Sequence, residues 1–254
     1  MKRIITLTTI LLMALNVNAQ LKPVKYSDGE QKLNGFIADP PKPLKQKAGI
    51  LILPAWKGID NHSKEIAQQL AKDGYYAFVA DIYGEGHYPT DVKQAGEQSG
   101  YYKSHPDQYQ QRIKLAMEQL IKGGASAGNI VVIGYCFGGT GALEAARAGM
   151  AVKGVVSFHG GLGKDASRAN GPIATKVLVL HGADDPYVPQ KDIEAFQKEM
   201  RDGKADWQMI YYANAVHAFT EKEAGNDNSK GAAYNEKADR RSWQHFMLFL
   251  KEIL

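Results

Sequence analysis

Cys136 is the only cysteine among 254 residues, and it stands in the run Val131-Val132-Ile133-Gly134-Tyr135-Cys136-Phe137-Gly138-Gly139. Three β-branched residues lead in, and a helix-like stretch, residues 140–148, leads out. A strand, a tight turn and a helix are therefore expected, with the sulfur at the turn. Glycines two before and two after a nucleophile let strand and helix backbones approach. A thiol there stands clear of the sheet edge, above a helix N-terminus whose unpaired N–H groups favour the thiolate. The chemistry this suits is attack on an acyl carbon. A lone cysteine is more often a small buried apolar side chain, but the glycine frame and the apolar strand reverse that reading. A phosphate-binding loop is excluded by spacing: Gly138-Gly139-Thr140-Gly141 is not Gly-x-Gly-x-x-Gly, and no Walker lysine follows.

A thiol nucleophile benefits from a base, and the base from a group that orients it. Two segments supply them. Residues 177–180 read as a strand and run into His181-Gly182-Ala183-Asp184-Asp185-Pro186-Tyr187-Val188-Pro189. Residues 208–212 read as the next strand and run into Ala213-Asn214-Ala215-Val216-His217-Ala218-Phe219. Both follow the carboxyl end of a strand, the side on which open parallel sheets gather ligands. Asp184 reads more simply as a turn residue, whereas Asp185 sits three after Gly182 and three before Val188. Of seven histidines, His217 is the expected base. His181 reads as a structural strand-end residue, and His159 and Tyr83 as pocket-lining residues. Two N–H groups must also face the developing oxyanion: those of Phe137, directly after the thiol, and of Trp56, in the loop after the strand at 49–53, are expected.

The elements that must hold these residues alternate. A hairpin (strands near 24–26 and 33–38) comes first, then a Pro/Lys-rich loop at 40–47. Short continuous apolar runs recur at 49–53, 76–80, 130–133, 154–158, 177–180 and 208–212. Such runs suit central parallel strands covered on both faces. Helices are expected at 62–72, 106–121, 139–148, 190–200 and 232–253, with a surface loop at 224–231. The alternation implies an α/β, doubly wound, mostly parallel sheet with right-handed crossovers.

These pieces together resemble the dienelactone hydrolase family of the α/β-hydrolase superfamily, over roughly residues 35–254. The resemblance rests on Gly-Tyr-Cys-Phe-Gly-Gly at 134–139, Asp73-Gly74-Tyr75, Asp81-Ile82-Tyr83-Gly84, the Gly-x-x-Asp-x-x-Val-Pro pattern at Asp185, Val216-His217-Ala218-Phe219, and Tyr234-Asn235-Glu236-Lys237-Ala238. It implies hydrolysis of esters or lactones through a thioester intermediate, without cofactor or metal. Cys136, Asp185 and His217 would then be the triad, and Trp56 and Phe137 the oxyanion hole. Two positions depart from the family pattern. Ala55 stands where the family commonly has a glutamate near the resting thiol, and Glu85 stands nearest to an arginine that holds a substrate carboxylate. The rival readings are a periplasmic carbohydrate or peptide esterase or thioesterase, and a hydrolase fold reduced to binding.

Residues 1–19 read as a secretory signal: Lys2 and Arg3, an apolar centre at 4–15, and Val17-Asn18-Ala19 before the cut. The expected mature chain, residues 20–254, forms one domain that is periplasmic or secreted, with no stable membrane insertion. Loss of Lys2 and Arg3 lowers the net charge from +4 to +2. That balance gives no basis for nucleic-acid binding, so the expected partner is a small-molecule ester or lactone.

Overall fold

A computed structural model describes residues 20–254; the expected signal falls outside the described residues. The chain opens with a hairpin of β1 (Leu21–Asp28) and β2 (Gln31–Ala38), turned at Gly29, whose φ is 57°. Then come β3 (Gly49–Leu53), α1 (Asn61–Lys72), β4 (Tyr76–Val79), α2 (Val92–Ser104), α3 (Pro106–Lys122) and β5 (Ile130–Tyr135). The second half runs α4 (Phe137–Arg147), β6 (Gly154–Phe158), β7 (Lys176–Gly182), α5 (Gln190–Asp202), β8 (Trp207–Tyr212) and α6 (Glu236–Ile253).

The strands form one eight-stranded sheet in the order β1-β2-β4-β3-β5-β6-β7-β8. β1 and β2 join antiparallel, and every pairing from β4 to β8 is parallel. β3 to β7 are apolar on both sides because both faces are covered. Leu51, Leu53 and Val132 face α2, α3, α4 and α5, while Ile50, Ile52 and Val131 face α1 and α6. Each fully buried aliphatic side chain of this kind contributes about 1.5–3 kcal/mol. The result is the expected α/β arrangement, with β5 near the centre of the sheet.

Two expectations need correction. A helix at 92–104 was not foreseen, because Gly96, Gly100 and many polar side chains leave only Ala95, Ser99 and Tyr102 on its buried face. The last helix begins at Glu236 rather than 232. Residues 231–233 instead pair with the His217 segment, through His217 N–H to the Gly231 carbonyl (3.2 Å) and Ala233 N–H to the His217 carbonyl (3.0 Å). Asn235 then caps α6 by accepting from Ala238 N–H. The surface loop expected at 224–231 is exposed over 225–230 and holds one short 3-10 turn, Asn228–Lys230, with a second, Lys222–Ala224, leading into it.

Candidate active site

Cys136 occupies the turn between β5 and α4 with φ 53° and ψ −112°. A non-glycine residue there stores on the order of 1–3 kcal/mol and persists only when its surroundings fix it. They do so from several directions. Cys136 N–H is shared between the Phe158 carbonyl (3.0 Å) and His159 Nδ1 (3.2 Å), and Thr140 N–H donates to the Cys136 carbonyl. The glycines permit the bend: a Cβ on Gly134 would run into the Gly138 carbonyl, and one on Gly138 into the Leu53 carbonyl.

From this turn the sulfur reaches His217 Nε2 at 3.0 Å, and His217 Nδ1 meets Asp185 Oδ2 at 2.8 Å. Asp185, its side chain fully buried, also accepts Tyr187 N–H on Oδ1 at 2.9 Å. The thiol is partly exposed. Burial pushes its pKa up, but the hydrogen bond and charge of His217, the Lys103 ammonium and the Phe137 N–H outweigh it and bring it below the ordinary value. Burial would likewise lower His217, but Asp185 and the sulfur raise it to about 10. The geometry therefore favours a thiolate–imidazolium pair oriented by a carboxylate. No cluster suited to hold a metal ion occurs among the described residues.

Phe137 begins α4, and its N–H faces the sulfur. Its carbonyl accepts Tyr109 Oη–H at 3.0 Å, and the two rings stack with centroids 4.6 Å apart. Trp56 is half-buried in the loop after β3, where its carbonyl accepts Tyr83 Oη–H at 2.7 Å. Both phenols are held in the protonated, donating form by burial. Ala55 brings no carboxylate to the thiol, so His217 is its direct polar partner.

The two residues expected to line the pocket are buried beside the elbow. Tyr83 is buried, braces the Trp56 loop and lines a separate cavity of about 350 Å³ with Tyr101, Tyr102 and Arg112. His159 is 0% exposed and lies beneath the thiol, because its ring fills the space between Cys136 N–H and Thr220. Since His159 Nδ1 accepts, its proton is on Nε2, which donates to Thr220 Oγ1 at 2.8 Å. Burial and the neighbouring His217 keep this ring neutral. Sequence reading missed Tyr109, Thr220 and Lys103. Only packing across the fold brings them here, and no local signal marks them.

Comparison with known proteins identifies the family and the fold. The model of the dienelactone hydrolase family matches residues 33–254. A Bradyrhizobium protein named "Probable 2-oxo-3-(5-oxofuran-2-ylidene)propanoate lactonase" is 27% identical, over 89% of this chain and 91% of its own length. The solved structure of m3DLH superposes with a TM-score of 0.87 at 31% identity, covering 93% of this chain and 99% of that one. A dienelactone hydrolase-like promiscuous phosphotriesterase from metagenomic libraries gives 0.85 at 32% identity, again covering 93% and 99%. With its eight-stranded α/β sheet, this chain is a hydrolase that belongs to the dienelactone hydrolase family.

Proposed function

We propose that this chain hydrolyses carboxylic esters or lactones through a covalent acyl group on Cys136. The observation that carries this reading is the unbroken contact chain Cys136 Sγ–His217 Nε2–Asp185 Oδ2, at 3.0 and 2.8 Å. The Cys136 thiolate attacks the carbonyl carbon, and the π pair moves onto oxygen, which the N–H groups of Phe137 and Trp56 receive. The tetrahedral centre collapses with expulsion of the alkoxide, and His217 gives it the proton taken from the thiol. Water, deprotonated by the now neutral His217, attacks the thioester carbonyl; the sulfur leaves as thiolate, the acid departs and the thiolate–imidazolium pair is restored. No cofactor enters the cycle.

Neutral substrates suit the site better than anionic ones, since Glu85 stands in the loop after β4 where a cation would be needed. A leader like that at residues 1–19 supports work in the periplasm or outside the cell, which N-terminal sequencing of the mature protein would test. The structural likeness to a phosphotriesterase at 32% identity favours a second reading, attack of the same thiolate on a phosphotriester. A panel of neutral esters, lactones, thioesters, sugar esters and phosphotriesters ranks the classes by kcat/KM. Cys136→Ala should lose on the order of 10³-fold or more in kcat on the best of them. Undiminished turnover by that variant would overturn the nucleophile assignment.

A further inference from the structure

His159 is a wholly buried titratable residue, just after β6, that takes no step in the proposed reaction. Its ring spans two parts of the site. Nδ1 accepts Cys136 N–H at 3.2 Å, and Nε2 donates at 2.8 Å to the hydroxyl of Thr220, three residues beyond His217. The ring also lies edge-on to His217, with centroids 5.4 Å apart, and to Phe219 at 5.1 Å. Its backbone N–H donates to the Leu180 carbonyl near the end of β7, the strand that leads into Asp185. One residue thus ties together the segments that carry Cys136, His217 and Asp185.

An imidazole is costly to bury unless both its nitrogens are hydrogen-bonded, and here both are. The backbone beneath it is strained as well. His159 has φ 40° and its partner Cys136 has φ 53°. Such non-glycine conformations persist only where the surroundings fix them, and they gather at functional sites. Cys136 N–H has a second acceptor, the Phe158 carbonyl at 3.0 Å, so its direction is set from two sides. Only a ring with a free lone pair on Nδ1 can supply one of those sides, because a proton there would meet the N–H head-on. Thr220 Oγ1 secures that tautomer by accepting from Nε2. Burial, then the charge of His217, hold the ring neutral.

We propose that His159 is a positioning residue for the nucleophile: its Nδ1 lone pair fixes the Cys136 turn against the His217 segment and so sets the 3.0 Å separation of Cys136 Sγ and His217 Nε2. This role rests on the hydrolytic reading of those two residues. Being wholly buried, His159 meets no substrate and acts only through Cys136 and the segment beyond His217. An apolar ring of similar size would fill the space but leave Cys136 N–H held from one side only.

Two amide side chains separate the two ring nitrogens. Asparagine places an oxygen near the Nδ1 position and keeps the acceptor, whereas glutamine reaches the Nε2 end and loses it. His159→Gln should lower kcat on the best ester about tenfold with KM little changed, as expected for one buried hydrogen bond. His159→Asn should lose only about threefold or less. Alkylation of Cys136 by iodoacetamide at neutral pH, which needs no turnover, should slow in the same order. A space-filling role predicts the reverse order, since glutamine replaces more of the ring. In the unaltered chain, side-chain 15N NMR should show His159 protonated on Nε2 alone at neutral pH. A proton on Nδ1, no loss in His159→Gln, or a loss in His159→Asn as large as in His159→Gln would each overturn the assignment. The NMR form of the unaltered chain decides even if a variant fails to fold. Undiminished turnover by Cys136→Ala would end the hydrolytic reading, while the alkylation order and the NMR form would still report on the turn.

Discussion

In the proposed mechanism, proton placement between two atoms, Cys136 Sγ and His217 Nε2, governs reactivity at the residue scale. Burial alone would keep the sulfur protonated, and the opposing hydrogen bond and charge come mainly from one imidazole. That imidazole is cationic because Asp185 and the sulfur both favour its charged form. The rate of alkylation by iodoacetamide reads the thiolate directly. In the unaltered chain the rate should reach its plateau at lower pH than in an ordinary thiol. In His217→Ala the inflection should move up toward the ordinary thiol value of 9.0, and Asp185→Asn should fall between the two. A profile for the unaltered chain that climbs only near pH 9 would mean that the sulfur rests as a thiol and must be deprotonated on demand.

Elements decide where that sulfur stands, and the elbow between β5 and α4 does so by backbone contact. Gly138→Ala forces a Cβ against the Leu53 carbonyl, a collision that neither a flexible side chain nor a rotamer change can relieve. It should cost about 1–3 kcal/mol or more in urea unfolding and lower kcat by displacing the Phe137 N–H. Gly96→Ala, on α2 with nothing within 4 Å of its added Cβ, should instead stabilise by about 0.5–1 kcal/mol. If both substitutions shift stability in the same direction, close backbone approach is not what fixes the elbow. The contrast also explains what could be read from sequence. The elbow, the parallel strands and the positions of Asp185 and His217 are local demands, written as glycine spacing, apolar runs and strand-end order. α2 has a glycine-weakened helical pattern, and with it Lys103 stayed hidden. Tyr109 meets Phe137 from 28 residues away and His159 meets Cys136 from 23. Such contacts exist only once the sheet and its covering helices have assembled. The pairing of residues 231–233 with the His217 segment overrode an alanine-rich start to the last helix for the same reason.

Across the whole molecule, folding moves protons, and the balance sets how stability varies with pH. His62, His159 and His181 are all held below 6.5 by burial. Their unfolded forms gain protons in acid, so stability from them rises with pH and levels off near 6.5. The Cys136–His217 pair adds little slope wherever its folded form carries a single proton between the sulfur and the imidazole. Folded thiolate plus imidazolium carries one proton, as do unfolded thiol plus neutral imidazole. Glu221 differs. Its folded value of about 8 lies far above the 4.5 of an unfolded glutamate, so the folded state holds a proton that the unfolded state has released. Its stabilising contribution is complete below 4.5 and is lost as pH rises through 8. In the window from 6.5 to 8 its effect stands largely alone, with a slope of at most about 1.4 kcal/mol per pH unit. Unfolding free energy from urea titration should therefore fall across that window. In Glu221→Gln, which cannot ionise, the curve should be flat there, and that variant should gain most over the unaltered chain near pH 8. A flat curve for the unaltered chain would show that Glu221 is already ionised at pH 6.5. In that case its buried oxygen would have to be matched by a cation or ordered solvent.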